Sequence, residues 1–263
     1  MTKVHEYSYG SHPDQHVKLH IPTGDRLPVV LVIHGGFWRS KYGVELAEPL
    51  AADLAGMGIA AAAVEYRRVG GASGGGWPRT LADVSRAVDA LATSGQYLAD
   101  GRLDLSKVVA IGHSAGGHLA AWLAHRPSLR FGTAGSIGPS SNWVPLRGAV
   151  SQAGVLDLAA AVAENLGNGA IIDMMNGQPG SVPQQYHHAS PMSHVGDGAQ
   201  IVCVHGDLDD EVPISQSQLY VEAAILAGDP ARFVPLPGVG HYELIDPEDA
   251  AWTVCRDAAV AML

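Results

Sequence analysis

Lys107-Val-Val-Ala-Ile-Gly112-His113-Ser114-Ala115-Gly116-Gly117-His118-Leu-Ala-Ala-Trp122 is the stretch on which the fold is decided. Its first five residues form a short apolar run of strand character. From His118 to His125 the residues are good helix formers with no proline. Between them stands the pattern G-x-S-x-G. A chain that passes from strand to helix within so few residues must turn sharply. Glycines are needed there because side chains would collide, and the turn exposes the Ser114 hydroxyl at the C-terminal edge of a sheet. In a chain with 32 glycines the bare pattern carries little weight, and the strand before it and the helix after it make it informative.

Outward from this stretch the same alternation repeats. Apolar runs at 28–34, 59–66, 148–152, 200–205 and 232–236 suit central strands covered on both faces. Helical patterns lie between them, at 44–56, 78–94, 114–126, 215–228 and 247–262. In the second, Leu81, Val84, Val88 and Leu91 share one face. The last should start with Asp246 as N-cap and Pro247 in the first turn. Repeated βα units predict a doubly wound, mostly parallel sheet of about eight strands. His16–Ile21 differs: Val17, Leu19 and Ile21 alternate with polar residues, which suits a half-exposed edge strand of a hairpin. Residues 67–77 are a glycine-rich loop. Residues 158–198 are too long for a plain connection and read as a small lid over the site. No composition shift marks a linker, so residues 1–263 are expected to be one α/β domain.

Three further motifs fall at ends of the expected strands. His34-Gly35-Gly36-Phe37-Trp38 follows the 28–33 run, and its glycines allow backbone N–H groups to approach a ligand. Gly36 and Phe37, with Ala115 after the serine, are candidate donors for an oxyanion, while His34 shapes the loop. His205-Gly-Asp207-Leu-Asp209-Asp210-Glu211-Val-Pro213 follows the 200–204 run. An acid there can orient a histidine, and Asp209 is the choice, with Asp207 and Asp210 as alternatives. Gly238-Val-Gly240-His241 follows the 232–236 run. Its imidazole can take and return a proton at neutral pH. The order Ser114, Asp209, His241 is that of strand–elbow–helix hydrolases.

These residues resemble the α/β-hydrolase superfamily over nearly the whole chain. H-G-G-F-W with G-H-S-A-G-G-H is similar to the kynurenine formamidase (arylformamidase) and carboxylesterase branch. The opening Tyr9-Gly-Ser-His-Pro-Asp-Gln and Tyr66-Arg67-Arg68 look typical of its small members. The resemblance implies an α/β-hydrolase fold with Ser114 as nucleophile, Asp209 and His241 as its partners, and the H-G-G loop as oxyanion hole. Esterases like hormone-sensitive lipase carry glycine where this chain has Phe37, which points toward the formamidase-like side. The expected reaction is cleavage of a small ester or amide through an acyl-enzyme, without cofactor. Trp38, Tyr66 and Trp77 are candidates for a substrate wall, with Met174, Met175 and Tyr186 joining from the lid. Lactonase, thioesterase, polyester hydrolase or small peptidase activity stays open, as does a silent binding protein on the same fold.

Composition excludes other classes. A formal net charge of −10 opposes nucleic acid and anionic membrane surfaces as partners. Two cysteines in apolar surroundings, Cys203 and Cys255, predict buried thiols and no disulfide framework. The first residues lack an apolar leader pattern, and no apolar run approaches a membrane span, so a cytoplasmic protein is expected. His187, His188 and His194 lack the ordered spacing of a zinc site, and no metal is expected. An exposed edge strand or the last helix offers a surface for a homodimer.

Overall fold

The computed structural model describes residues 2–138 and 142–263. Among the described residues eight strands form one sheet in the order β1 (Lys3–Ser8), β2 (His16–Ile21), β4 (Ala60–Val64), β3 (Leu27–Ile33), β5 (Leu103–His113), β6 (Gly148–Gln152), β7 (Ile201–Gly206) and β8 (Ala231–Leu236). The strands β3 to β8 run parallel to one another, and β1 and β2 form an antiparallel hairpin at one side. This is the α/β-hydrolase arrangement.

Side chains alternate across the sheet, so each apolar run feeds two cores. Val29, Leu31 and Ile33 of β3 join one cluster, while Val30 and Val32 join the other. Val108 and Ala110 of β5 likewise oppose Val109 and Ile111. The first core is closed by α2 (Arg79–Asp89), α4 (Ala115–Ala124) and α8 (Ser215–Ala227), with Leu81, Val84, Leu119 and Tyr220 among the buried residues. The second is closed by α1 (Glu48–Gly56) and α9 (Ala250–Val260) through Leu50, Leu54 and Trp252. A short helix, α3 (Ser94–Leu98), precedes β5.

Three expectations change. His16–Ile21 is not the edge: β1 pairs along its outer side from Lys3↔Ile21 to Ser8↔His16. The true edge strand is polar outward, with Val4 exposed and Tyr7 buried, which hid it from a hydrophobicity reading. The start of α9 also shifts. Asp249 caps it by accepting from the Ala251 N–H at 2.7 Å, while Asp246 accepts from the Glu248 N–H and holds the preceding turn. Third, the segment expected as a lid is mostly wall. It lies between β6 and β7 and holds α5 (Leu158–Ala163), α6 (Ala170–Met175) and α7 (Pro183–Ala189). Leu158, Ala161, Ile171, Met174, Met175, Tyr186 and Ala189 bury themselves in the first core.

Cys203 and Cys255 are free and buried, and burial pushes the Cys255 thiol up to about 12 and the Cys203 thiol higher still. Among the described residues no helix is long and apolar enough to cross a membrane.

Candidate active site

Ser114 sits between β5 and α4 with φ 56° and ψ −119°. That conformation costs a non-glycine residue on the order of 1–3 kcal/mol and persists only where the surroundings impose it. They impose it through backbone crowding. A Cβ on Gly112 would lie 2.1 Å from the Gly116 oxygen, and one on Gly116 would lie 2.1 Å from the Ile33 oxygen. The elbow therefore packs directly on the end of β3. The Ser114 N–H donates to the Gln152 oxygen at 2.8 Å, fastening the turn to the end of β6.

The contact with β3 brings the His34 loop beside the serine; a Cβ on Gly35 would meet the Ser114 Cβ at 3.1 Å. Three successive residues then have positive φ: Gly36 at 103°, Phe37 at 49° and Trp38 at 54°. Among the described residues, the N–H groups of Gly36 and Phe37 have no acceptor. The Ala115 N–H opens α4 and is one of the donors a first turn leaves over. His34 braces the loop, with Nδ1 2.8 Å from the Gly35 oxygen and Nε2 3.0 Å from Glu65 Oε1. Glu65 also accepts from the Val44 N–H, the Tyr66 N–H and Arg68. Burial alone would raise the Glu65 carboxyl, but His34, Arg68 and the Val44 N–H hold it below its ordinary value.

Asp209 has both oxygens engaged. Oδ1 accepts from the N–H groups of Glu211 at 2.9 Å and Val212 at 2.8 Å. Oδ2 accepts from His241 Nδ1 at 2.6 Å and lies 3.2 Å from His205 Nε2. Burial works against the carboxylate, and hydrogen bonds from His205, His241 and the Val212 N–H overcome it, holding the carboxyl well below its usual range. The two alternatives lie elsewhere: Asp207 accepts from the Gly238 N–H at 2.7 Å, and Asp210 stands exposed at the mouth. His113, the second residue of G-H-S-A-G, donates from Nε2 to the His241 carbonyl at 2.9 Å, with the two rings 4.4 Å apart. Burial, then the neighbouring His241, pushes His113 down to about 3, so it stays uncharged.

Ser114, His113 and His241 face one cavity of about 450 Å³. Gly36, Phe37, Leu46, Leu166 and Ile245 also line it, with Arg39, Tyr42, Asn165, Asn168, Glu211 and Tyr242. Trp38, Tyr66 and Trp77 are not in this wall, which corrects the expectation. Trp38 turns inward and is fully buried, its ring edge-on to His118. Tyr66 is buried under His34, stacked at 4.4 Å, and donates to the His34 carbonyl. Trp77 packs against His188 and lines a separate groove. Met174, Met175 and Tyr186 are core. The positive φ of both Phe37 and Trp38 sends Phe37 to the cavity and its neighbour to the interior.

Among the cavity residues not anticipated, two groups are joined by hydrogen bonds. Arg39 follows the H-G-G-F-W motif and donates to the Gly167 oxygen at 2.6 Å and the Asn168 oxygen at 3.2 Å. That ties the loop after β3 to the tip of the insertion, where Asn165, Gly167, Asn168 and Gly169 all have positive φ. The run Asn-Leu-Gly-Asn-Gly was the available signal, since Asn and Gly tolerate that conformation. Among the described residues no group of three or more His, Cys, Asp or Glu is placed to hold a metal ion. His188 and His194 spend their Nε2 hydrogens on the Ala134 and His188 carbonyls.

A family model, BD-FAE, matches residues 17–223. The chain belongs to the BD-FAE family. This is an esterase family of the α/β-hydrolase type. Among curated proteins, Esterase LipQ of Mycobacterium tuberculosis is 28% identical over 230 residues, covering 84% of this chain and 51% of LipQ. The chain thus spans about half the length of that relative. Among solved structures, a truncated carbohydrate esterase from gut microbiota superposes with a TM-score of 0.84 at 21% identity, covering 100% of this chain and 96% of that one. Esterase Est2 of the Planctomycetes species Thermogutta terrifontis gives 0.76 at 24% identity, covering 99% and 91%. Both likenesses speak to the fold. The BD-FAE match takes in the His34–Trp38 loop, Ser114 and Asp209, while His241 lies beyond it, after β8.

Proposed function

We propose that this chain is a serine esterase that hydrolyses small carboxylic esters, with Ser114 as nucleophile, His241 as general base and acid, and Asp209 as the group that orients it. One observation carries the reading: Ser114, held in a strained elbow, faces the same cavity as His241, whose Nδ1 hydrogen is held by the buried Asp209 at 2.6 Å. That bond leaves Nε2 as the imidazole's basic nitrogen.

In the first step Nε2 removes the hydroxyl proton as Oγ attacks the ester carbonyl. The carbonyl π pair moves to oxygen, and the N–H groups of Gly36, Phe37 and Ala115 receive the charge. One such donor is worth about 3 kcal/mol of barrier. Collapse expels the alcohol, which takes the proton from His241. Water, deprotonated by the same nitrogen, then releases the acid and restores Ser114. Asp209 stays ionised throughout, in keeping with its depressed carboxyl.

An arylformamide is the second reading, favoured by the Phe37 ring in the cavity wall against Gly167. Steady-state assays of wild type and Ser114→Ala on p-nitrophenyl acetate, p-nitrophenyl octanoate and N-formylkynurenine decide between them. Ester turnover exceeding formylkynurenine turnover, and lost in the variant, is the expected result. The reverse ranking makes the chain a formamidase. Activity that survives the substitution removes Ser114 from the mechanism.

A further inference from the structure

His205 is fully buried, four residues before Asp209, and takes no direct part in the mechanism above. Its ring is nevertheless fixed at both ends. Nε2 lies 2.9 Å from the Val212 oxygen and 3.2 Å from Asp209 Oδ2. Both are acceptors, so Nε2 carries a hydrogen, bonded to the Val212 oxygen with Asp209 Oδ2 close beside it. At the other end Nδ1 stands 2.8 Å from the hydroxyl of Ser217, buried in α8, which donates to it. Asp209 Oδ2 therefore meets two imidazoles, accepting from His241 on one side and lying 3.2 Å from the His205 Nε2 on the other, while Oδ1 is engaged by backbone.

We infer that His205, its ring anchored at Nδ1 by Ser217, is a positioning residue that governs how strongly Asp209 supports a proton on His241. A carboxylate oxygen has finite acceptor capacity. Charge drawn toward the His205 N–H is not available to the N–H of His241. The second donor thus moderates the stabilisation of the His241 imidazolium, keeping the base unprotonated and competent at lower pH. The other titratable groups around His241 are His113 from the elbow, Tyr242 beside it, Asp210 and Glu211 in the cavity lining, and Glu243 against Gly240. None of them touches Asp209 Oδ2. The depressed carboxyl of Asp209 agrees, since the hydrogen bond from His205 is the foremost influence opposing burial there.

The inference rests on the esterase reading for its importance, and its test does not require turnover. The titration of His241 is followed by NMR through its ring Cε1–H signal, assigned by its absence in His241→Gln. Wild type is compared with His205→Asn, whose short amide cannot reach Asp209, with His205→Gln, whose amide nitrogen can stand where Nε2 stood, and with Ser217→Ala. The midpoint is expected to move to higher pH in His205→Asn, by about half a unit or more. Ser217→Ala should move it less, in the same direction, and His205→Gln should bring it back toward wild type. In parallel, the acidic limb of kcat/KM on p-nitrophenyl acetate should follow the same order. A His205 that only fills space would lower the rate at every pH and leave the midpoint alone. A midpoint unchanged or moved to lower pH in His205→Asn overturns the inference, and Ser217→Ala decides it if that variant does not fold. Absence of esterase activity from a wild type whose midpoints follow the expected order would instead count against the esterase reading alone.

Discussion

Asp209 and Trp38 show how differently two single residues can be read. The sequence offered three aspartates in the loop after β7, and the three hydrogen bonds that Asp209 accepts, one of them from His241, distinguish it from Asp207 and Asp210. Asp209→Asn offers an amide in place of the acceptor and should lower kcat on p-nitrophenyl acetate by on the order of 10⁴-fold at neutral pH, with the fold intact by circular dichroism. Trp38 stands in a functional motif but is buried behind it. Trp38→Phe should leave KM within about twofold, while Trp38→Ala should cost about 3–5 kcal/mol in urea denaturation. A large KM effect in Trp38→Phe would return Trp38 to the substrate wall.

At the scale of elements, the strands were legible where both faces are buried. Runs such as Val29–Ile33 and Val108–Ile111 leave no polar alternative, and their chain positions predicted the loops that follow them, among them the strand-to-helix elbow at Ser114. The hairpin strand β1 was hidden because its outward side chains, Val4 apart, are polar and its pairing is satisfied by backbone, which hydropathy does not register. The insertion was legible as an interruption but not as a wall. Its short helices gain their burial from the rest of the molecule, and only the Asn165–Asn168 tip reaches the cavity. Two predictions belong here. Gly112→Ala should destabilise by about 3 kcal/mol or more, because its Cβ would meet backbone on a packed turn and nothing flexible can give way. Arg39→Ala releases the carbonyls of Gly167 and Asn168 and should speed amide hydrogen exchange across 165–169, with a fall in kcat/KM of about tenfold.

Across the whole molecule, buried histidines make stability sensitive to acid. Burial holds His113 down to about 3 and His118 to about 4, while both take up a proton near pH 6.5 in the unfolded chain. Between those values the unfolded state binds more protons than the native one, so stability is full above about pH 6.5 and falls as pH drops toward 4. Below about pH 4 the depressed carboxyls of Glu65 and Asp209 add a further loss in the same direction. The Tm from calorimetry should therefore fall steadily from pH 6.5 to 4.5. A flat Tm across that window would mean that these histidines gain protons without unfolding.

The central claim is that Ser114 is a nucleophile activated by His241 and Asp209. It is tested most directly by intact-mass spectrometry after brief exposure to a fluorophosphonate. One adduct, mapped to Ser114, absent in Ser114→Ala and slowed on the order of 10³-fold or more in His241→Ala, is the predicted result. An unlabelled wild type, or labelling of Ser114 at the same rate without His241, contradicts it.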